Sequence, residues 1–239
     1  MGTSKGYLPP TGYMWPETKR AVTNMAKNNF SGNSIGRAVS NFAKATKNNG
    51  FARGKKSSVG TVGSKAVGFI GLVRTIGLEN ALHEVGLSHL VGKSLQEIYF
   101  GLLDYFSEEA NTLNQVIANQ AMQELLAEIM VGVSEVEAFE QILSSLDGNI
   151  FLRDFLIKFV EVAFFTNFAE KINSLCKGIE ETIKAQEQIK EFIRIQISNN
   201  YTIEDLKDID WKGKSGKDFV DKKCEEVWEI FESWRDSDV

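Results

Sequence analysis

All three prolines of this 239-residue chain, Pro9, Pro10 and Pro16, lie within its first 16 residues. Proline fixes φ, lacks a backbone donor and pushes its predecessor out of the helical region. Residues 1–15 are therefore predicted to form an extended, flexible tail containing glycine and proline. Nothing beyond Pro16 forbids helix, and the apolar pattern uses that freedom. Pro16 suits the first turn of a helix running to about Asn28. Ile35, Val39, Phe42 and Ala43 then recur at helical spacing between Asn33 and Lys47. Ser94-Leu-Gln-Glu97, Thr112-Leu-Asn-Gln115 and Ser134-Glu-Val-Glu137 each match the capping box, in which a hydroxyl and a carboxylate or amide satisfy orphan backbone donors. They predict helices over 95–107, 113–131 and 135–146. Asp147-Gly148-Asn149 reads as a turn. A phenylalanine-rich helix over 150–175, apolar around most of its circumference, is the expected centre of the core.

Two further helices follow. One over 179–197 keeps Ile179, Ile183, Ile189 and Ile193 near one face, and one over 216–235 aligns Val220, Cys224, Val227, Trp228, Phe231 and Trp234. Gly60, Gly63, Gly68, Gly71 and Gly77 punctuate an apolar stretch over 60–78. Small residues every three or four positions let helices approach closely, so this stretch is expected to be a tightly packed helix despite glycine's low helix propensity. No stretch alternates strictly enough for a strand. The predicted fold is mainly α, a multi-helix bundle.

Charge divides the chain unevenly. Residues 1–66 carry eleven Lys/Arg against Glu17 alone, a balance of +10, whereas the whole chain stands at −5. The sequence thus reads as a tail over 1–15, a basic helical head over 16–78 and an acidic α-helical body over 79–239. Such asymmetry suits a head that docks onto an acidic surface. Between 47 and 58 the chain is rich in Asn, Gly, Lys and Ser and is expected to be mobile.

Several chemistries fail on spacing. Residues 86–94 and 50–57 resemble a phosphate-binding loop, but their glycines are separated by five and three residues instead of four. His83 and His89 are the only histidines and lack further metal ligands at workable spacing. Cys176 and Cys224 have no C-x-x-C partner and read as buried thiols in a reducing cytoplasm. Adjacent carboxylates such as Glu108/Glu109, Glu180/Glu181 and Glu225/Glu226 diverge by roughly 100° on a helix and make no acid–base dyad. The most apolar candidate span, 150–168, contains Arg153, Asp154, Lys158 and Glu161, so no membrane helix and no signal peptide is expected. The reading is a cytoplasmic, non-enzymatic protein with no catalytic residue, metal or cofactor.

The basic head admits two partners. Lys19, Arg20, Lys27, Arg37, Lys44, Lys47 and Lys65, with a patch at Arg53, Lys55 and Lys56, could neutralise phosphates. Tyr7, Tyr13, Trp15, Phe30, Phe42 and Phe51 could stack on bases. A nucleic-acid-binding adaptor is therefore the alternative to a protein partner. It is the less favoured one, because the chain is acidic overall and carries no recognised nucleic-acid module.

The chain opens Met1-Gly2-Thr3-Ser4. Removal of Met1 would leave a glycine α-amine of pKa about 7.7–8.0 with no side chain to hinder it. The myristoylation motif wants Ser or Thr where Gly6 stands. This opening resembles the QatB proteins of Qat anti-phage defence systems. The likeness continues through residues 34–42, the glycine-rich 60–71 and 112–121, and fades beyond 130. The resemblance implies a bacterial operon with an NTPase, a QueC-like enzyme and a TatD-like nuclease. It also implies that Gly2 is the amine acceptor for a carboxylate activated by the QueC-like enzyme, forming an amide with a deazaguanine-type base. Thr3 and Ser4 would be the residues recognised in that enzyme's cleft. Lys5-Gly6-Tyr7-Leu8 departs from the Gly/Ser/Pro-rich tail of such proteins.

Overall fold

In a computed structural model of the chain, residues 14–48 and 58–235 are described. They form nine α-helices and no strand. The helices are α1 (Trp15–Lys27), α2 (Gly32–Asn48), α3 (Ser58–Glu84), α4 (Leu95–Phe106), α5 (Leu113–Ile129), α6 (Val136–Ser145), α7 (Gly148–Leu175), α8 (Ile179–Asn200) and α9 (Lys214–Ser233). One 3-10 turn, Ser88–Leu90, joins α3 to α4. The mainly α bundle is therefore as the periodicity predicts.

Helix α7 is the axis of the core. It carries Phe151, Phe155, Phe159, Phe164 and Phe168, all buried, and is packed by α1, α3, α5, α8 and α9. Helices α1 and α2 pair with each other and are joined to the body through aromatic rings. Trp15 stacks on Phe168 (centroids 5.4 Å, planes 24° apart), and Phe42 meets Phe164, Phe168 and Trp228 at 5.5–5.7 Å. Such pairs add about 0.5–1.5 kcal/mol each beyond area burial. The α9 stripe from Val220 to Phe231 is buried as its spacing predicts.

The glycines of α3 permit close packing on α9 and on the segment before it. A Cβ at Gly63 would lie 2.8 Å from Val220 Cγ1, and one at Gly68 would lie 2.7 Å from Trp211 Cβ. At Gly77 the helix breaks: φ is 81° and ψ 165°, a conformation open to glycine and costly for other residues. The Leu78 N–H freed there donates to Glu140 Oε1 of α6 at 2.8 Å.

Several local expectations are corrected. The boxes at Ser94/Glu97 and Thr112/Gln115 form as predicted. The one at Ser134 does not: α6 is capped by Glu135, without a side-chain bond, so the third helical residue is Ala138 and cannot reciprocate. Asp147 is a helix cap as well as part of a turn, its carboxylate accepting from the N–H groups of Asn149 (2.9 Å) and Ile150 (3.1 Å). In α8, Ile189 and Ile193 are buried but Ile179 and Ile183 are exposed, because burial of this helix begins only at Ala185. Among the described residues, the one helix with the length and composition to cross a bilayer is α3, with mean hydropathy 1.2 over its most apolar window. Over half of that window is buried inside the protein, as in a core helix.

Candidate functional site

The described part of the basic head gathers its charge along α1. Its amphipathic pattern turns Trp15, Thr18, Val22 and Met25 into the core and leaves Lys19, Arg20 and Lys27 exposed. On one flank lies a hollow of about 640 Å³, lined by Trp15, Lys19, Arg20, Lys27, Phe168 and Lys171, with no carboxylate in its lining. On the other flank, between α1 and α2, lies a hollow of about 650 Å³. It holds Arg20, Arg37, Lys44 and Arg235 against the single carboxylate of Glu17, among asparagine and serine side chains. Exposed like charges around one helix create a local positive potential on an otherwise acidic molecule.

Not all of the head's cations take part. Lys47 turns to Glu232 Oε2 at 2.6 Å. Lys65 points inward and donates to the carbonyls of Tyr105 (2.7 Å) and Ser107 (3.3 Å). Conversely, Lys171 of α7 and Arg235 after α9 join the basic surface from the acidic part of the sequence. Nothing local marks them, since only the fold brings them beside α1.

The aromatic residues read as stacking platforms do not serve as such. Trp15, Phe30 and Phe42 are buried in the core, where the rings of Trp15 and Phe42 meet each other and Phe168 of α7. Tyr7, Tyr13 and Phe51 lie outside the described residues, as do the predicted acceptor Gly2, its neighbours Thr3 and Ser4, and the patch Arg53, Lys55 and Lys56. The predicted tail likewise lies outside the described residues as far as residue 13, and the first described helix is held to the core by the buried Trp15.

Other groups behave structurally. His83 Nδ1 pairs with Ser88 Oγ at 2.9 Å. Among the described residues no cluster of His, Cys, Asp or Glu is placed to hold a metal ion. Cys224 is buried and burial pushes its thiol pKa up, which makes it inert. Cys176 is only half-buried, less than its apolar context suggests.

Two ionic clusters, each built on one buried charge, carry no signal in the sequence. The Lys223 side chain has no exposed surface. Its ammonium donates to Glu204 Oε1 (2.6 Å), Glu226 Oε2 (2.9 Å) and Thr202 O (3.0 Å), tying the segment before α9 to that helix. Glu161 of α7 is buried with Lys158 at 3.5 Å, and burial raises its pKa. Lys158 in turn bonds Glu128 of α5 at 2.6 Å.

No curated protein and no solved structure matches the chain. A family model, described as Qat anti-phage system associated protein QatB, matches residues 49–231. That span includes the 60–71 and 112–121 stretches. It excludes Met1–Ser4 and 34–42 and continues far past residue 130, so the likeness resides in the helical body more than in the N-terminal half. By this match over most of its length, the chain belongs to the QatB family, a component of an anti-phage system.

Proposed function

We propose that this chain is a non-enzymatic, cytoplasmic subunit of a Qat system, acting as substrate and scaffold. After Met1 is removed, the Gly2 amine is presented to a QueC-like partner. The partner activates a carboxylate as its adenylate. The amine attacks that carbonyl, loses a proton and displaces AMP, leaving an amide on Gly2. Thr3 and Ser4 are read in the partner's cleft, and the system's NTPase and TatD-like nuclease act alongside.

The observation that supports this reading is the basic surface on both flanks of α1, the first described helix, which the stack of Trp15 on Phe168 holds to the core. An acidic partner surface would meet that rim while the tail reaches its active site. The carboxylate-free flank of α1 could also receive a phosphate backbone. The burial of Trp15, Phe30 and Phe42 removes half of the rings a nucleic-acid platform would use, which favours a protein partner.

Intact-mass spectrometry of the protein co-expressed with its operon neighbours tests the proposal. The expected result is loss of Met1 together with an adduct mapped to Gly2. Met1 loss with no adduct, while the partner enzyme is active, would refute it.

A further inference from the structure

A second groove, of about 510 Å³, lies away from α1 between α3, the end of α4 and the segment before α9. Its volume falls within the range of small-molecule sites. The floor is the small-residue face of α3. At Gly68 this face is covered by Trp211, but a Cβ at Gly71 would meet nothing within 4 Å. The packing of the described chain therefore does not require glycine at 71. The walls are apolar and aromatic: Phe69, Leu72, Tyr105 and Trp211.

The polar groups converging here are unbalanced. Lys65, Lys212 and Lys217 line the groove against the one carboxylate of Asp210. That carboxylate already accepts from the N–H groups of Lys212 and Gly213, both at 3.1 Å. Lys212 pairs with Glu84. Lys65 donates two of its three ammonium protons to the carbonyls at the end of α4, which leaves one for a further acceptor. Burial lowers the Lys65 pKa; Glu108 opposes it, the nearby charge of Lys217 adds to it, and Asp104 opposes it as well. An anion at this position would relieve the repulsion between the two ammonium groups.

We infer that this groove binds a flat aromatic ligand bearing an anionic group, its ring lying against Trp211 over Gly71 and its anion meeting Lys65 and Lys217. The anion could be a phosphate or a carboxylate, since both accept from ammonium groups in the same way. This inference does not depend on any chemistry at Gly2.

Titration calorimetry on the full chain tests it, with AMP, indole-3-acetate, adenosine and inorganic phosphate as probes. Saturable 1:1 binding of AMP or of indole-3-acetate is expected, and whichever binds identifies the anion. Adenosine and phosphate alone should bind at least about tenfold more weakly, because each supplies half of the contacts. Gly71→Leu projects into open space and should keep its helical circular dichroism while weakening binding at least about tenfold. Should that variant fail to fold, Lys217→Glu, at an exposed position, should weaken binding likewise. The inference is overturned if neither anionic probe binds, if adenosine binds as tightly as AMP, or if the folded variants bind as tightly as the parent.

Discussion

Replacing Gly71 and Gly68 by alanine, one at a time, should move stability in opposite directions. Both lie in the interior of α3 and neither has positive φ. Each substitution gains about 0.8–1.0 kcal/mol of helix propensity, partly by restricting the unfolded chain, and this gain is common to both. The surroundings differ. A Cβ at 71 meets open space, so the gain survives. A Cβ at 68 would sit 2.7 Å from Trp211 Cβ, an atom fixed by its own backbone and not the free end of a side chain. Carbon atoms prefer about 3.5–4.0 Å. The Trp211 segment is also gripped from α9, where a Cβ at Gly216 would lie 2.8 Å from Trp211 Cα. Overpacking of this kind costs about 1–3 kcal/mol. Gly71→Ala should then stabilise by about 1 kcal/mol, and Gly68→Ala should destabilise by up to about 2 kcal/mol. For a chain of this size each kcal/mol shifts Tm by roughly 2–4 °C. Thermal unfolding followed by far-ultraviolet circular dichroism reads both shifts. Equal shifts of the same sign would refute the claim that contact with Trp211 is what requires glycine at 68.

Two further substitutions probe the buried ions. Lys223→Met should cost about 1–2 kcal/mol in urea unfolding, less than breaking a fully buried pair, because Glu204 and Glu226 keep solvent and both retain Lys222. The Lys223 hydrogen bond holds the Glu204 carboxyl below its ordinary 4.5. That contribution is present above pH 4.5 and is lost as pH falls through the folded value, so the variant should lose less stability than the parent on acidification. Glu161 has the opposite sign. Burial raises its pKa, so its ionisation costs stability as pH rises from 4.5 through the folded value. Glu161→Gln should match the parent below about pH 4 and exceed it at neutral pH by up to about 1 kcal/mol, since Lys158 retains Glu128. A variant less stable than the parent at neutral pH would contradict this account.

The parts of the fold that were legible in the sequence are those set by local patterns. Two capping boxes, the phenylalanine-rich axis and the α9 stripe are each determined within a few turns of helix. What was illegible depends on partners remote in sequence. The 60–78 stretch was read as one packed helix, without the break at Gly77, and the carboxylate that satisfies the N–H freed at Leu78 comes from Glu140, 62 residues on. Exposure of Ile179 and Ile183 follows from where α8 starts relative to its neighbours, which periodicity does not encode. The same holds at the candidate site. The charge of Lys19, Arg20 and Lys27 was countable, whereas the approach of Lys171 and Arg235 and the diversion of Lys47 and Lys65 are products of folding.

The indole of Trp15, wedged on Phe168 and Phe42, works as a mooring point. Twelve peptide units separate Gly2 from Met14, and covalent geometry caps their span at about 43 Å. On the proposed function, the enzyme that captures the Gly2 amine brings its reaction centre within that radius of Met14, the residue before the mooring. Met14 is itself held there, its carbonyl accepting from the N–H (3.2 Å) and the Oγ1 hydroxyl (3.0 Å) of Thr18.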